Sequence, residues 1–229
     1  MTATTGSELS IEVGERVGRV SGVLIRPPAA RWLYVLAHGA GAGMRHRFMA
    51  AVAEALAQRN VATLRYQFPY TEAGGRRPDP PGVLQATVRA AVAAAATAAP
   101  GLLLLAGGKS LGGRMTSSAA AKTPLPGVRG LVFLGFPLHA PGRPGLERAE
   151  HLDGVGIPML FLQGTRDALA GLELMHTVCE RLGERATLHV VDGGDHSFAV
   201  LKRSGRSEAE VLAELADTIA AWPAAQGLG

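Results

Sequence analysis

Leu102-Leu103-Leu104-Leu105-Ala106-Gly107-Gly108-Lys109-Ser110-Leu111-Gly112-Gly113 joins an apolar run of strand length to the start of a helix. The joint is a serine flanked on both sides by paired glycines. Two chemistries use a glycine-rich turn at such a place. A phosphate-binding loop, GxxxxGK[ST], ends as Gly108-Lys109-Ser110 does, but it requires glycine at 103, where Leu103 continues the apolar run. Without that loop too few backbone N–H groups are free to wrap a phosphate. The other pattern, G-x-S-x-G, is met by Gly108, Ser110 and Gly112. It describes a sharp strand-to-helix turn that holds a serine at the carboxyl edge of a sheet, with small residues before and after so that neighbouring strands clear it. The helix N-terminus behind the serine favours negative charge on a reacting oxygen. A serine that only caps a helix shows the same five residues, so the surroundings decide.

Outward from this turn, strand-like and helix-like segments alternate, which predicts a mostly parallel sheet with helices on both faces, a three-layer α/β arrangement. Two segments of alternating polarity, around 9–13 and 17–26, predict an antiparallel entry hairpin. Buried strands are predicted over 32–38, 61–66, 102–106, 128–134, 158–162 and 187–191. Helices are predicted over 45–58, from about 82 to near Pro100, over 110–121, 169–182 and 208–222, and a loop over 68–81. The segment 136–156 is too short for an independent cap, and no linker or repeat divides the chain. One domain spanning 1–229 is expected.

A serine hydroxyl needs a positioned base, and the base a partner that fixes its tautomer. Behind a serine turn of this kind the chain order is acid, then histidine, each on a loop after a strand. His196 lies in Asp192-Gly193-Gly194-Asp195-His196-Ser197-Phe198, just past the strand ending at Val191. His189 falls within a strand and His176 within a helix. Asp167 follows Met159-Leu160-Phe161-Leu162 and the turn Gln163-Gly164-Thr165-Arg166. Asp153 precedes that strand, and Asp192 and Asp195 lie too near His196 in sequence to reach its ring easily. Two backbone N–H groups are needed to hold an oxyanion. Leu111 supplies one, and Ala40, in His38-Gly39-Ala40-Gly41-Ala42-Gly43 after the strand at 32–37, supplies the other. A dinucleotide fingerprint fails there, because its sixth position counted from Gly39 is Met44.

Bulk properties narrow the function class. Hydrophobic residues make up 47% and charged residues 18% of 229 residues, a folded composition. The net charge of +4 is a small excess of 23 basic over 19 acidic residues, scattered along the chain, and aromatics are 5%. No basic stripe or base-stacking platform follows from this, so no nucleic-acid partner is expected. The one cysteine, Cys179, fits a buried structural thiol, and no CxxC pair suggests a metal. Residues 1–10 lack a signal-peptide pattern, and the longest apolar stretch, Ala90–Ala99, is too short for a membrane span. A cytoplasmic protein without membrane partner or cofactor is expected, acting on a small acyl substrate.

Four segments carry a family resemblance: His38-Gly39-Ala40-Gly41, Arg65-Tyr66-Gln67-Phe68-Pro69-Tyr70, Gly108-Lys109-Ser110-Leu111-Gly112-Gly113-Arg114 and Gly194-Asp195-His196-Ser197-Phe198. Over nearly its whole length the chain resembles the α/β-hydrolase superfamily, in particular its small cap-less dienelactone-hydrolase-like branch. Within that branch it is similar to a group containing uncharacterised bacterial hydrolases, a testis-expressed protein and a subunit of the NSL histone acetyltransferase complex. True dienelactone hydrolases carry a cysteine nucleophile, whereas this chain has Ser110. The resemblance implies a serine hydrolase acting on esters or thioesters; the alternative is an inert hydrolase-fold binding or scaffold protein, or a transferase or lyase on the same fold. Lys109, Arg114, Arg45, Arg76 and Arg77 are expected near the site, where they would favour anionic substrates. Tyr66, Phe68, Tyr70, Phe136, Pro137 and Phe198 are candidates for an apolar acyl pocket.

Overall fold

In the computed structural model, which describes residues 6–228, eight strands form one sheet. They are β1 (Ser7–Gly14), β2 (Gly18–Ile25), β3 (Trp32–Ala37), β4 (Val61–Tyr66), β5 (Leu103–Lys109), β6 (Val128–Leu134), β7 (Met159–Gly164) and β8 (Ala186–Val191). Their order is β1-β2-β4-β3-β5-β6-β7-β8. β1 and β2 pair antiparallel with each other, β2 pairs antiparallel with β4, and the remaining pairs are parallel.

Six helices cover this sheet: α1 (Arg47–Ala57), α2 (Pro69–Glu72), α3 (Pro81–Ala98), α4 (Leu111–Lys122), α5 (Leu172–Leu182) and α6 (Glu208–Ala225). Side chains along a strand alternate between faces, and here both sets are apolar. Leu33, Val35, Phe133 and Phe161 pack toward α3, α4 and α5, burying Val88, Met115 and Met175. Tyr34, Leu36, Val132 and Leu160 pack toward α1 and α6, burying Val52, Leu56, Leu215 and Ile219. Two dry layers sandwich the sheet, as the near-continuous apolar strands predict.

The winding fixes where a site forms. From β3 the chain passes through α1 to β4 on one side, then returns through α2 and α3 to β5 on the other. β3 and β5 therefore mark the point where the strand order reverses, and the crevice outside their carboxyl ends is the usual ligand position in such sheets. The loop 38–46 leaves β3 there, and Ser110 leaves β5.

Several details differ from the sequence expectation. β5 runs on to Lys109, because Gly107 and Gly108 keep pairing with Val132 and Phe133 on one side and Leu36 and Ala37 on the other. The 68–81 loop contains the single turn α2, opened by Pro69 at its first position. A 3-10 segment, Glu147–Gly154, lies within 136–156, the stretch too short for a cap. Among the described residues no helix is long and apolar enough to cross a membrane, and no cluster of three or more His, Cys, Asp or Glu side chains could hold a metal.

Candidate active site

Ser110 sits between β5 and α4 with φ 49° and ψ −112°, a strained backbone for a residue with a side chain. Its N–H donates to Leu134 O at 3.1 Å, which anchors the turn to β6. The flanking glycines are steric necessities. A Cβ on Gly108 would overlap the carbonyl oxygen of Ala37, and one on Gly112 would stand 2.6 Å from the carbonyl oxygens of Ala37 and His38. β3 can approach the turn this closely only because nothing projects from it.

His196 and Asp167 arrive from the loops after β8 and β7. Gly164, at the end of β7, has no room for a Cβ, which would collide with the Gly194 carbonyl. The two loops are then cross-tied: Arg166 N–H donates to Gly194 O (2.8 Å), and Gly193 N–H donates to Thr165 Oγ1 (2.8 Å). Asp195 folds the histidine loop by accepting from the N–H groups of Ser197 (2.8 Å) and Ala199 (3.0 Å) on Oδ1.

These supports bring the three side chains into line. Asp167 Oδ2 lies 2.7 Å from His196 Nδ1, and His196 Nε2 lies 2.9 Å from Ser110 Oγ. With Asp167 as a carboxylate, Nδ1–H donates to it, so Nε2 accepts the Ser110 O–H; partners assign this tautomer. The carboxylate side chain is 0% exposed while the imidazole is 25% exposed, so the base faces the crevice and its orienting partner is dry. Asp167 also accepts from the Gln163 side-chain amide on Oδ2 (2.5 Å) and from Leu169 N–H on Oδ1 (2.8 Å). A buried carboxylate requires such donors.

The loop after β3 completes the crevice. His38 is fully buried; its Nε2 accepts from Phe68 N–H at 3.1 Å, which leaves Nδ1–H to donate to Gly39 O at 2.8 Å. Burial pushes its pKa down, which keeps this neutral tautomer. Because a trans peptide points its N–H opposite its C=O, fixing Gly39 O away turns the Ala40 N–H toward the other side. Leu111 opens α4, where no intrahelical acceptor exists for its N–H. A Cβ built on Gly39 would lie 3.6 Å from Ser110 Cβ, so the two donor segments flank the hydroxyl closely.

The remaining candidates divide. Lys109 is engaged by the histidine loop: its Nζ donates to His196 O at 2.6 Å and lies 5.7 Å from the Phe198 ring centroid. Burial lowers its pKa to about 8. Its reach is spent on the histidine loop instead of on a ligand. Arg45 pairs with Glu8 at 2.6 Å, and Arg76 and Arg77 are exposed. Arg114 is half-buried one helical turn after Ser110. Tyr66, Phe68 and Phe136 have no exposed surface and belong to the core, and Tyr70 stacks on Phe68. Phe198 stacks on Phe48 and, with Ser197, borders a cavity of about 390 Å³ between α1 and α6. Cys179 is half-buried and its thiol is pushed up to about 11.

Sequence reasoning missed two supporting side chains. The ring of His38 orients a peptide, and Gln163 ties the acid to the loop after β6 by accepting from Phe136 N–H at 3.1 Å. Gln163 carries one sequence signal, a polar residue closing an otherwise apolar strand.

An alpha/beta hydrolase domain family matches residues 30–224, a span that includes every element from β3 to the body of α6. The chain belongs to the alpha/beta hydrolase family. Solved structures of similar fold include a dienelactone hydrolase from Anabaena variabilis, at 22% identity with TM-score 0.75, covering 98% of this chain and 99% of that one. A serine hydrolase without lid from Xanthomonas campestris has 19% identity and TM-score 0.74, and covers 97% of each chain. A serine hydrolase homologue from Coxiella burnetii has 18% identity and TM-score 0.72, covering 96% of this chain and 98% of that one. At these identities the likeness of this alpha/beta hydrolase family member to them is one of fold: a cap-less sheet with its carboxyl edge open.

Proposed function

We propose that this alpha/beta hydrolase family member is a serine hydrolase that cleaves a small ester or thioester through an acyl-enzyme on Ser110. One observation carries the reading: an unbroken hydrogen-bonded line from a buried carboxylate through an imidazole to a strained serine hydroxyl. Ser110 Oγ attacks the carbonyl carbon and its proton passes to His196 Nε2. The N–H groups of Ala40 and Leu111 hold the oxyanion that forms. His196 then gives the proton to the leaving oxygen or sulfur, and Asp167 stabilises the imidazolium between the two transfers. Water repeats the sequence on the acyl-enzyme, releasing the acid and restoring Ser110. Every step uses groups of the chain and water, so the reaction requires no cofactor.

The substrate is a small molecule in this reading, because the loops around the crevice are short and no separate cap encloses a larger one. The narrower grouping with the testis-expressed protein and the NSL-complex subunit rests on the four sequence segments. The test is turnover of p-nitrophenyl esters of graded acyl length and of acyl thioesters. Short-chain esters are expected to be hydrolysed, with Ser110→Ala lowering kcat at least about a thousandfold. An unchanged rate in that variant, or no turnover of any ester or thioester, contradicts the proposal and favours a binding or scaffold role.

A further inference from the structure

Arg114 stands in an unusual place for a cation. Its N–H donates to Ser110 O at 3.1 Å, so it lies one turn into α4, roughly 6 Å along the axis from the hydroxyl-bearing residue. Helical side chains lean toward the N-terminal turn, here the turn that begins at Ser110. Its Nε is buried with no hydrogen-bond acceptor. Arg148, from the 3-10 segment after β6, comes close enough for its charge to lower the Arg114 pKa, together with burial. Arg148 spends one N–H on His139 O at 3.0 Å.

Among the described residues no counter-charge answers this pair. None of the ion pairs among the described residues includes Arg114 or Arg148. Glu147 and Glu150, on the same segment, are exposed and pair with neither. His151 is held neutral at pH 7, with burial and Arg114 pushing it down to about 4, and its Nε2 lies 2.8 Å from Ser117 Oγ. Two half-buried guanidinium groups without an anion are costly, and their planar forks match an oxyanion's geometry.

We propose that Arg114 and Arg148 form an anion subsite beside Ser110, which takes a carboxylate or phosphoryl group carried by the substrate a few bonds from its scissile carbonyl. This rests on the serine-hydrolase reading and narrows its substrate to acyl esters with a second, charged end. The neutral end of such a substrate lies at the Ser110 turn, and its charged end reaches down the first turn of α4.

The experiment compares kcat/KM for p-nitrophenyl hemiglutarate and p-nitrophenyl valerate, which differ in a carboxylate replacing a methyl. The phosphonate of the same chain, p-nitrophenyl 4-phosphonobutyrate, separates carboxylate from phosphoryl selection. At least one anionic ester is expected to exceed the neutral ester tenfold or more. Arg114→Gln and Arg148→Gln should each reduce that ratio about tenfold, with Arg148→Lys between the extremes. Because Arg114 is partly buried, thermal melts check that each variant folds, and Arg148→Gln, on the half-buried 3-10 segment, serves if Arg114→Gln does not. Glutarate and 4-phosphonobutyrate titrated into the wild-type protein and both variants by calorimetry give a reading independent of turnover. Ratios near one, or ratios that neither substitution moves, overturn the subsite while neutral-ester turnover leaves the hydrolase reading standing. Arginine-dependent binding of either anion without turnover of any ester supports the subsite and contradicts the hydrolase reading. Absence of both binding and turnover overturns both.

Discussion

Ser110 is held in place at a local cost. Its φ of 49° and ψ of −112° are unfavourable for any residue with a Cβ, by about 1–3 kcal/mol. The close approach of β3 and the bond to Leu134 O hold it there. Ser110→Gly removes the strain and the hydroxyl together. We expect a melting temperature higher by about 2–4 °C and no esterase activity; a lower melting temperature would mean the turn is relaxed. The convergence of Ser110, Asp167 and His196 was legible because each follows an apolar strand at the same edge of the sheet. The roles of His38 and Gln163 were not, since they arise from contacts across 30 and 27 residues of chain with groups that no local pattern marks. The contact of Lys109 is similar: adjacent to the serine in sequence, it ties its amine to the His196 carbonyl across 87 residues of chain.

At the scale of elements, the site depends on the carboxyl ends of β7 and β8 staying in contact. Gly164→Ala places a methyl group against the Gly194 carbonyl and forces the acid and histidine loops apart. Overpacking of this kind costs about 1–3 kcal/mol, and a displacement of 1 Å at a reacting group costs about a hundredfold in rate. The expected variant is folded, melts several degrees lower, and has kcat reduced far more than KM is raised. Wild-type kcat would show that the loops are held by their hydrogen bonds alone. Most elements were legible from apolar runs and periodicity, including the entry hairpin and the reading of helices on both faces. Strand ends were less so. Gly107-Gly108 reads as a turn in sequence, yet both glycines continue the ladder on either side, and Lys109 still pairs with β6. The single turn α2 is too short to show a helical period.

Over the whole molecule, burial of titratable groups sets how stability responds to acid. His151 has an ordinary pKa of 6.5 and is pushed to about 4 when folded. Between those values the unfolded chain binds more protons than the folded one, so stability rises with pH across that window and is lost as pH falls through it. Buried His38 acts in the same direction. Chemical unfolding at pH 7 and pH 4.5 should show a loss of order 1–3 kcal/mol, and His151→Asn should make that loss smaller. An equal loss in the variant would assign the acid sensitivity elsewhere.

The sheet itself performs no chemistry; its strand order reverses once, between β3 and β5, and the reversal leaves a crevice in which the Ser110 hydroxyl faces His196. The most direct test of that claim is a fluorophosphonate probe applied to the native protein at neutral pH, with the adduct mapped by peptide mass spectrometry. A single adduct on Ser110, absent when the protein is denatured before labelling and strongly slowed in His196→Ala, is the expected result. No adduct, or one that forms equally fast without the imidazole, would show that Ser110 is not an activated nucleophile.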